Sequence, residues 1–302
     1  MDPQTQLELG ETYSQQEIEE IFDTSFGYQI SGINLRNPEE GKRYVILTSK
    51  EGGPYNDELS DQTEEFFYIG EGLPEKGDQK LTPSNKTLID SIDTFLPIFF
   101  FVSKGTGKWE YQGLVDVKDY QYVNNGTRNI FRFRMEKLGI SSPVDYIQTD
   151  QNLTEKLKEP PELTDEQAEY ENSQRKVRSA VFSKKIKKIY NETCAFCGSE
   201  RYSPEGNPEV EAAHIYPKEE NGADDLRNGL ALCKLHHWAF DCGWLALTDD
   251  LRIIVKKDTE VEEPKSFEPL EGNKIKVPDN SQFSPHVKFI RAHRELHGFD
   301  EV

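Results

Sequence analysis

The amino-acid sequence predicts an α+β protein of two domains, on three observations. With 302 residues, the chain is long enough for two domains that each bury a core. Its first half alternates short β-type runs with turn residues, whereas the region after residue 173 has the order helix, cysteine pair, two strands and helix. A polar, acidic segment separates the two patterns. We therefore predict an acidic leader over 1–16, a β-rich domain over 17–140, an acidic linker over 141–172 and a second domain over 173–302.

The β-rich domain is predicted from five short runs of β-branched and aromatic residues. Each run ends at a cluster of Gly, Asn, Asp or Pro, as strands in a barrel or sandwich do. The runs are Lys42–Ser49, Glu64–Gly70, Pro97–Ser103, Tyr111–Val117 and Asn129–Met135. Asn85–Ile92 is the one good helix candidate among them.

The distribution of charge along the chain indicates whether the protein could bind nucleic acid. A net charge of −19 argues against nucleic acid, because phosphate binding normally requires a basic surface. However, residues 1–25 hold seven acids and no base, and residues 141–172 hold nine acids and two lysines, so we interpret both segments as solvated. Arg175–Tyr190 holds seven bases and no acid, which predicts a basic helix.

This basic helix is the candidate for contact with a DNA backbone; the alternative is an ordinary surface helix. The residues assigned to the contact are Arg175, Lys176, Arg178, Lys184 and Lys185.

The sequence also indicates the cellular compartment in which the protein works. The longest apolar run, Phe95–Val102, is far short of the roughly 20 residues that span a bilayer, and the N-terminal segment lacks a basic-then-apolar pattern. We therefore expect a soluble, cytoplasmic protein without a membrane partner. In such a chain, cysteines spaced two apart are more typical of metal ligands than of disulfides.

Two pairs of residues have zinc-ligand spacing. Cys194 and Cys197 form one pair, and Cys233 and His236 form the other. Because zinc takes about four N or S ligands in a tetrahedron, we predict that the two pairs share one structural Zn²⁺. The alternative is a set of buried free thiols. Cys242 is predicted to pack as a small apolar residue rather than to replace His236.

Three further residues complete a second pattern. His214 ends a β-type run, Asn228 follows in the connecting segment, and His237 lies on the next helix. This order, together with the cysteine spacing, resembles the HNH endonucleases, or ββα-metal family, in their zinc-stapled form. The resemblance covers about residues 173–254 and implies metal-dependent hydrolysis of DNA phosphodiester bonds.

The resemblance assigns a role to each residue. His214 would be the general base, and Asn228 would orient the His214 segment through hydrogen bonds to the backbone. His237 and Asp241 are four residues apart, so both lie on one helical face and could hold a catalytic Mg²⁺ or Mn²⁺. Ala213 stands where many relatives have a further metal ligand. His293 and His297 are expected on a surface helix that packs on the nuclease core.

The first domain carries a different resemblance. The segments Tyr68–Gly72, Asp78–Asn85 and Tyr111–Gly113 are similar to the aromatic-Thr-Gly-x-Gly, Asp-Gln-x-Leu-Thr-x-x-Asn and Tyr-Asp-Gly elements of SRA (YDG) domains. This family has a PUA-like barrel fold and reads modified cytosine. Its members flip the base out of the duplex and hold it by stacking and hydrogen bonds.

By position in the motifs, three residues would form the base pocket. Tyr68 would stack on the base, Tyr55 is a second stacking candidate, and Asp57 would accept a hydrogen bond from the cytosine amino group. Ile69 stands where the family commonly has Thr, and no long insertion loop follows Gly72. The alternative is a generic barrel in which the two tyrosines are core residues and Asp57 lies in a turn.

The two resemblances together predict a modification-dependent restriction endonuclease. It would cleave double-stranded DNA that bears 5-methyl- or 5-hydroxymethylcytosine and defend a prokaryotic cell against phage DNA. Symmetric cuts in both strands would favour a homodimer. Two alternatives remain open: an HNH endonuclease that reads unmodified sequence, and a non-catalytic DNA reader in which the ββα unit is only a zinc scaffold.

Overall fold

The structure is a computed structural model that describes residues 6–27, 32–37, 43–50, 64–165, 172–257 and 266–299. The chain divides into two compact units. Unit 1 comprises Met1–Ile147 and Glu171–Val177, and unit 2 comprises Gln148–Tyr170 and Arg178–Val302. In the described ranges, no helix has both the length and the apolar character needed to cross a membrane.

Unit 1 is built on a seven-stranded sheet. Its strands are β1 (Thr12–Ser14), β2 (Ile33–Arg36), β3 (Tyr44–Ser49), β4 (Glu65–Ile69), β5 (Ile98–Gly105), β6 (Lys108–Asn124) and β7 (Asn129–Lys137). Its helices are α1 (Gln15–Ile21) and α2 (Pro83–Asp90). The strand order is β2-β3-β5-β6-β7-β4, and β1 pairs with β6. Only the β3–β5 pair is parallel among the described strands.

The five predicted strands and the predicted helix are all present, and β1 and β2 were not predicted. All six residues of β3 are buried, because the sheet packs apolar side chains on both faces. One face belongs to a cluster that includes Val45, Phe100 and Phe133. The other carries an aromatic group in which Phe22 and Phe99 meet edge to face at 4.9 Å.

Strand β6 changes partner along its length, and a glycine permits the change. Residues 108–114 pair with β5 and residues 115–124 pair with β7. Gly113, at the junction, has a φ of 91°. A Cβ atom there would lie 2.8 Å from the carbonyl oxygen of Ile140, so the glycine of the Tyr-x-Gly element serves the fold.

The predicted acidic leader is part of unit 1. Thr12–Ser14 pair with Lys108–Glu110, and Ser14 caps α1 in a reciprocal capping box with Glu17. Leu7 and Ile18 are buried between the acids. The segment therefore differs from a solvated leader, because its scattered apolar residues reach the core.

Unit 2 contains the ββα arrangement. Its elements include β8 (Glu211–His214), β9 (Gly229–Leu232), α5 (Lys234–Asp241), β10 (Leu245–Leu247), β11 (Ile253–Val255) and α6 (Val287–Leu296). Strands β8 and β9 pair antiparallel, and so do β10 and β11. Of the three boundaries between the units, one falls within α3 (Pro143–Glu155), one just before α4 (Asn172–Ile189) and one within α4. The predicted fold class, α+β with a β-rich first part and a ββα second part, is confirmed.

Candidate functional site

The predicted zinc ligands lie together at one end of α5. The ligand atoms of Cys194, Cys197, Cys233 and His236 are all within 4.8 Å of one another. Gly198 turns the chain after the first pair with a φ of 69°, and its N–H donates to the Cys194 carbonyl. Cys233 is the N-cap of α5, which places His236 in the first turn.

This group fits zinc. The Nδ1 atom of His236 lies 3.4 Å from the sulfur of Cys194 and 3.2 Å from that of Cys233, close to the spacing of ligands around a tetrahedral Zn²⁺. The hydrogen bond between the two sulfurs lowers the pKa of Cys194 and, together with burial, raises that of Cys233 to about 11. Cys242 is exposed rather than packed, and it stays outside the group.

His214 lies at the end of β8 and is fixed from two sides. Its ring stacks on Phe182 of α4, with 4.0 Å between centroids and 10° between planes. Its Nε2 atom lies 3.1 Å from Oδ1 of Asp224. Ring rotation is therefore restricted, and the imidazole is held at a defined angle.

Asn228 holds the segment that follows His214. The side chain is fully buried; its oxygen accepts from the N–H of Tyr216 at 2.8 Å. Its amide group donates to the carbonyl oxygens of Tyr216 and Ala223. All three contacts go to the backbone, so this geometry supports a positioning function and gives Asn228 no contact with a reacting atom.

His237 lies between two carboxylates. Its Nδ1 atom is 2.8 Å from Oε2 of Glu211, and its Nε2 atom is 3.3 Å from Oδ2 of Asp241. The hydrogen bond to Glu211 raises the pKa of His237. Desolvation raises the pKa of Asp241, and Glu219 and Glu211 add to this effect although His237 opposes it.

Three of the predicted catalytic and metal residues open onto one cleft. A cavity of about 490 Å³ is lined by His214 from β8 and by His237 and Asp241 from α5. His293 of α6 and His297, the C-cap of that helix, line it as well. Helix α6 therefore does more than cover the core: it forms a wall of the cleft.

His293 is one of the most deeply buried polar residues of this wall. Its ring lies parallel to Phe240 at 3.9 Å, and its Nε2 atom is 3.2 Å from the Phe240 carbonyl oxygen. Only 2% of the residue is exposed. Burial lowers the pKa of His293 to about 3, so it stays neutral under ordinary conditions.

This burial predicts a pH-dependent stability. The unfolded chain binds a proton at His293 below about pH 6.5 and the folded chain only near pH 3, so stability present above 6.5 is lost as pH falls through this window. The limiting slope is about 1.4 kcal/mol per pH unit. We expect His293→Phe to flatten the pH dependence between 6 and 4. Urea unfolding at several pH values measures this free energy. Trp109 is replaced by Phe, so that only Trp238 and Trp244 report on unfolding. An unchanged pH dependence in His293→Phe would contradict the prediction.

The predicted DNA-backbone residues are mostly engaged within the protein. Lys176 is buried and pairs with Glu64 at 2.7 Å. Lys184 is also buried.

The remaining bases on α4 differ in their contacts. Arg178 pairs with Asp165 at 2.6 Å, and Lys185 pairs with Asp150 at 2.6 Å. Asp150 and Asp165 belong to the segment predicted as a solvated linker. In this structure Lys176 and Lys184 are buried, and Lys176, Arg178 and Lys185 pair with carboxylates, so their assignment to DNA stays a prediction. Arg175 is exposed.

The predicted base pocket is only partly described. Tyr55 and Asp57 lie outside the described residues. Tyr68 is 1% exposed, and its hydroxyl donates to the Thr48 carbonyl oxygen at 3.1 Å within the apolar core of unit 1. Tyr68 is therefore a core side chain here, and stacking on a base would require the side chains around it to move.

The Asp-Gln-x-Leu-Thr-x-x-Asn element fixes the neighbouring backbone through side-chain hydrogen bonds. The amide oxygen of Gln79 accepts from the N–H of Phe131, and its amide group donates to the Gly70 carbonyl. Asn85 accepts from the N–H of Glu71 and donates to two carbonyl oxygens. These buried amides fix the turn that follows Tyr68.

Sequence reasoning missed two carboxylates of the nuclease site. Glu211 lies three residues before His214 on the same strand, and Asp224 lies in an Asp-Asp pair four residues before Asn228. Their proximity to the predicted catalytic residues was the available signal. It did not distinguish them from surface acids in a chain with 55 acidic residues.

Two family models match different parts of the chain. Residues 194–248 match the HNH endonuclease family, and residues 9–158 match the family described as ScoMcrA-like, SRA domain. No curated protein matches the chain.

The chain is similar to several solved structures, of which the first shares its fold. The structure titled modification dependent TagI restriction endonuclease is 22% identical; the match covers 96% of this chain and 93% of that chain, with a TM-score of 0.55. The SRA domain of SUVH5, in complex with methylated CHH DNA, is 23% identical over 44% of this chain and 89% of its own, with a TM-score of 0.36. The type IV phosphorothioation-dependent restriction endonuclease ScoMcrA is 18% identical over 78% of this chain and 51% of its own, with a TM-score of 0.32.

Proposed function

Because the chain carries an SRA domain followed by an HNH endonuclease domain, we propose that it is a modification-dependent restriction endonuclease. It cleaves double-stranded DNA that bears 5-methyl- or 5-hydroxymethylcytosine, with Mg²⁺ or Mn²⁺ as the catalytic ion, and so defends a prokaryotic cell against phage. The observation that carries this proposal is the cleft shared by His214, His237 and Asp241 within the part that matches the endonuclease family.

The donor set of the cleft fits a divalent ion. His237 Nε2 and Asp241 Oδ2 face each other at 3.3 Å, while Glu211 accepts from the other ring nitrogen. A carboxylate on the far nitrogen of a histidine is the usual support of a metal-binding imidazole. An ion bound here would neutralise charge on the phosphate and stabilise the leaving 3′ oxygen.

The remaining chemistry comes from the chain itself. His214, held against Phe182, accepts a proton from the attacking water. Asn228 keeps the backbone after His214 in place. The zinc group anchors the start of α5 and thereby the position of His237.

The reader assignment is supported by the match over residues 9–158 and by the motif elements around Gln79 and Asn85. One observation favours a second candidate, an HNH endonuclease that reads unmodified DNA. The ring of Tyr68 is enclosed in the core, as in a barrel that does not receive a base.

Cleavage of matched duplexes tests the proposal. The duplexes share one sequence and carry cytosine, 5-methylcytosine, 5-hydroxymethylcytosine, its glucosylated form, or a phosphorothioate linkage. We expect cutting with Mg²⁺ or Mn²⁺ to depend on the modified cytosine and to fall in Asp57→Ala. Equal cutting of all duplexes would support the second candidate. Cutting confined to the phosphorothioate duplex would show that the enzyme recognises the phosphorothioate linkage and not a modified cytosine.

A further inference from the structure

We propose that Asp224 is a positioning residue that sets the tautomer of His214, and that Asp165 holds Asp224 in place. This inference rests on the proposed function, in which His214 is the general base. Asp224 is 4% exposed and its Oδ1 atom lies 3.1 Å from Nε2 of His214.

The charge on Asp224 is maintained by its surroundings. Burial disfavours an ionised carboxylate, but hydrogen bonding to His214 and the charges of Lys218 and Arg178 outweigh burial and lower the pKa of Asp224 to about 2. Arg178 Nε lies 3.2 Å from Oδ2, and Lys218 Nζ lies 3.1 Å from Oδ1. Asp224 is therefore ionised at any pH at which the enzyme would work.

Asp165 connects this group to the segment that precedes α4. Its Oδ2 atom accepts from the backbone N–H of Asp224 at 3.1 Å and pairs with Arg178 at 2.6 Å. Lys218 is also within 3.6 Å of it. One carboxylate thus fixes both the backbone of Asp224 and the guanidinium that balances its charge.

The consequence for His214 follows from hydrogen-bonding capacity. An ionised carboxylate can only accept, so the proton of a neutral His214 must reside on Nε2. Nδ1 is then the nitrogen with a lone pair, ready to take a proton from water. In triad hydrolases, replacement of the equivalent aspartate by asparagine lowers kcat by about 10⁴ because the wrong tautomer forms.

The test uses the full-length protein labelled with ¹⁵N-histidine. Long-range ¹H–¹⁵N spectra report the tautomer of each of the six histidines, and His214→Gln identifies the His214 signals. We expect His214 to carry its proton on Nε2 in the wild type. In Asp224→Asn, we expect Nδ1-protonated or mixed populations and a loss of cleavage of about 10²–10⁴-fold.

Asp225→Asn is the matched control. Asp225 is the next residue, is equally buried, and pairs with Arg227 at 2.7 Å instead of His214. We expect its variant to keep the Nε2 tautomer. Asp165→Asn, which leaves the Asp224 carboxylate present, should give a smaller loss of cleavage, about tenfold, than Asp224→Asn.

Two results would overturn the inference: an Nδ1-protonated His214 in the wild type, or an unchanged tautomer in Asp224→Asn. The spectra need no DNA, so they decide the role of Asp224 even if the protein cuts none of the duplexes. In that event the proposed function fails, and the spectra alone decide the tautomer assignment.

Discussion

Replacement of His214 by alanine is expected to lower the cleavage rate by at least about 100-fold and to leave the protein folded. The loss follows from removal of the group that accepts the proton from water, and general bases contribute about 10²–10⁴ to such rates. His214 is partly exposed to the cleft, so the truncation removes little core packing apart from its stack on Phe182. Cleavage rates under single-turnover conditions, with circular dichroism as a check on folding, measure the effect.

His286→Ser is the matched control for this experiment. His286 caps α6 by accepting from the N–H of Lys288, a contact that serine can replace. We expect its cleavage rate to stay within about threefold of the wild type. Cleavage by His214→Ala at the control rate would refute the assignment of the general base.

The two adjacent histidines of α5 are expected to give opposite results. His236→Ala should lose the bound zinc and lower the melting temperature by on the order of 10 °C, because structural zinc contributes directly to folding. The imidazole of His236 lies within 3.4 Å of two cysteine sulfurs, whereas that of His237 contacts only carboxylates among its described ionic partners. Neighbours on a helix point about 100° apart, which directs them to different sites.

His237→Ala should therefore keep its zinc and its melting temperature and lose cleavage by at least about 100-fold. Zinc content by atomic emission and thermal unfolding separate the two variants. Loss of zinc from His237→Ala, or full zinc in His236→Ala, would show that the two roles had been assigned to the wrong rings.

Local patterns predicted much of the fold and of the nuclease site. Zinc spacing and helical periodicity depend on residues that are close in sequence, so Cys233, His236, His237 and Asp241 could be placed from the sequence alone. The strands that contain Phe100 and Phe133 were likewise predicted from their β-branched and aromatic residues.

The contacts that the sequence did not predict join residues that are distant in sequence. The basic residues of α4 seemed free because their counter-ions, Asp150 and Asp165, lie in a segment without periodicity. Asp224 carries no motif of its own, and only the fold brings it to His214. Tyr68 matched a family position, but position in a motif does not determine whether a ring is open to a ligand.

The ion pairs of Asp150 and Asp165 determine where the chain can be cut and rejoined. A nuclease fragment that starts at Ser173 would leave Arg178 and Lys185 without these carboxylates and would release the backbone of Asp224. A breakpoint for exchanging one reader for another, in evolution or in the laboratory, therefore belongs before Gln148. The acidic stretch that looks like a dispensable spacer is inherited together with the nuclease.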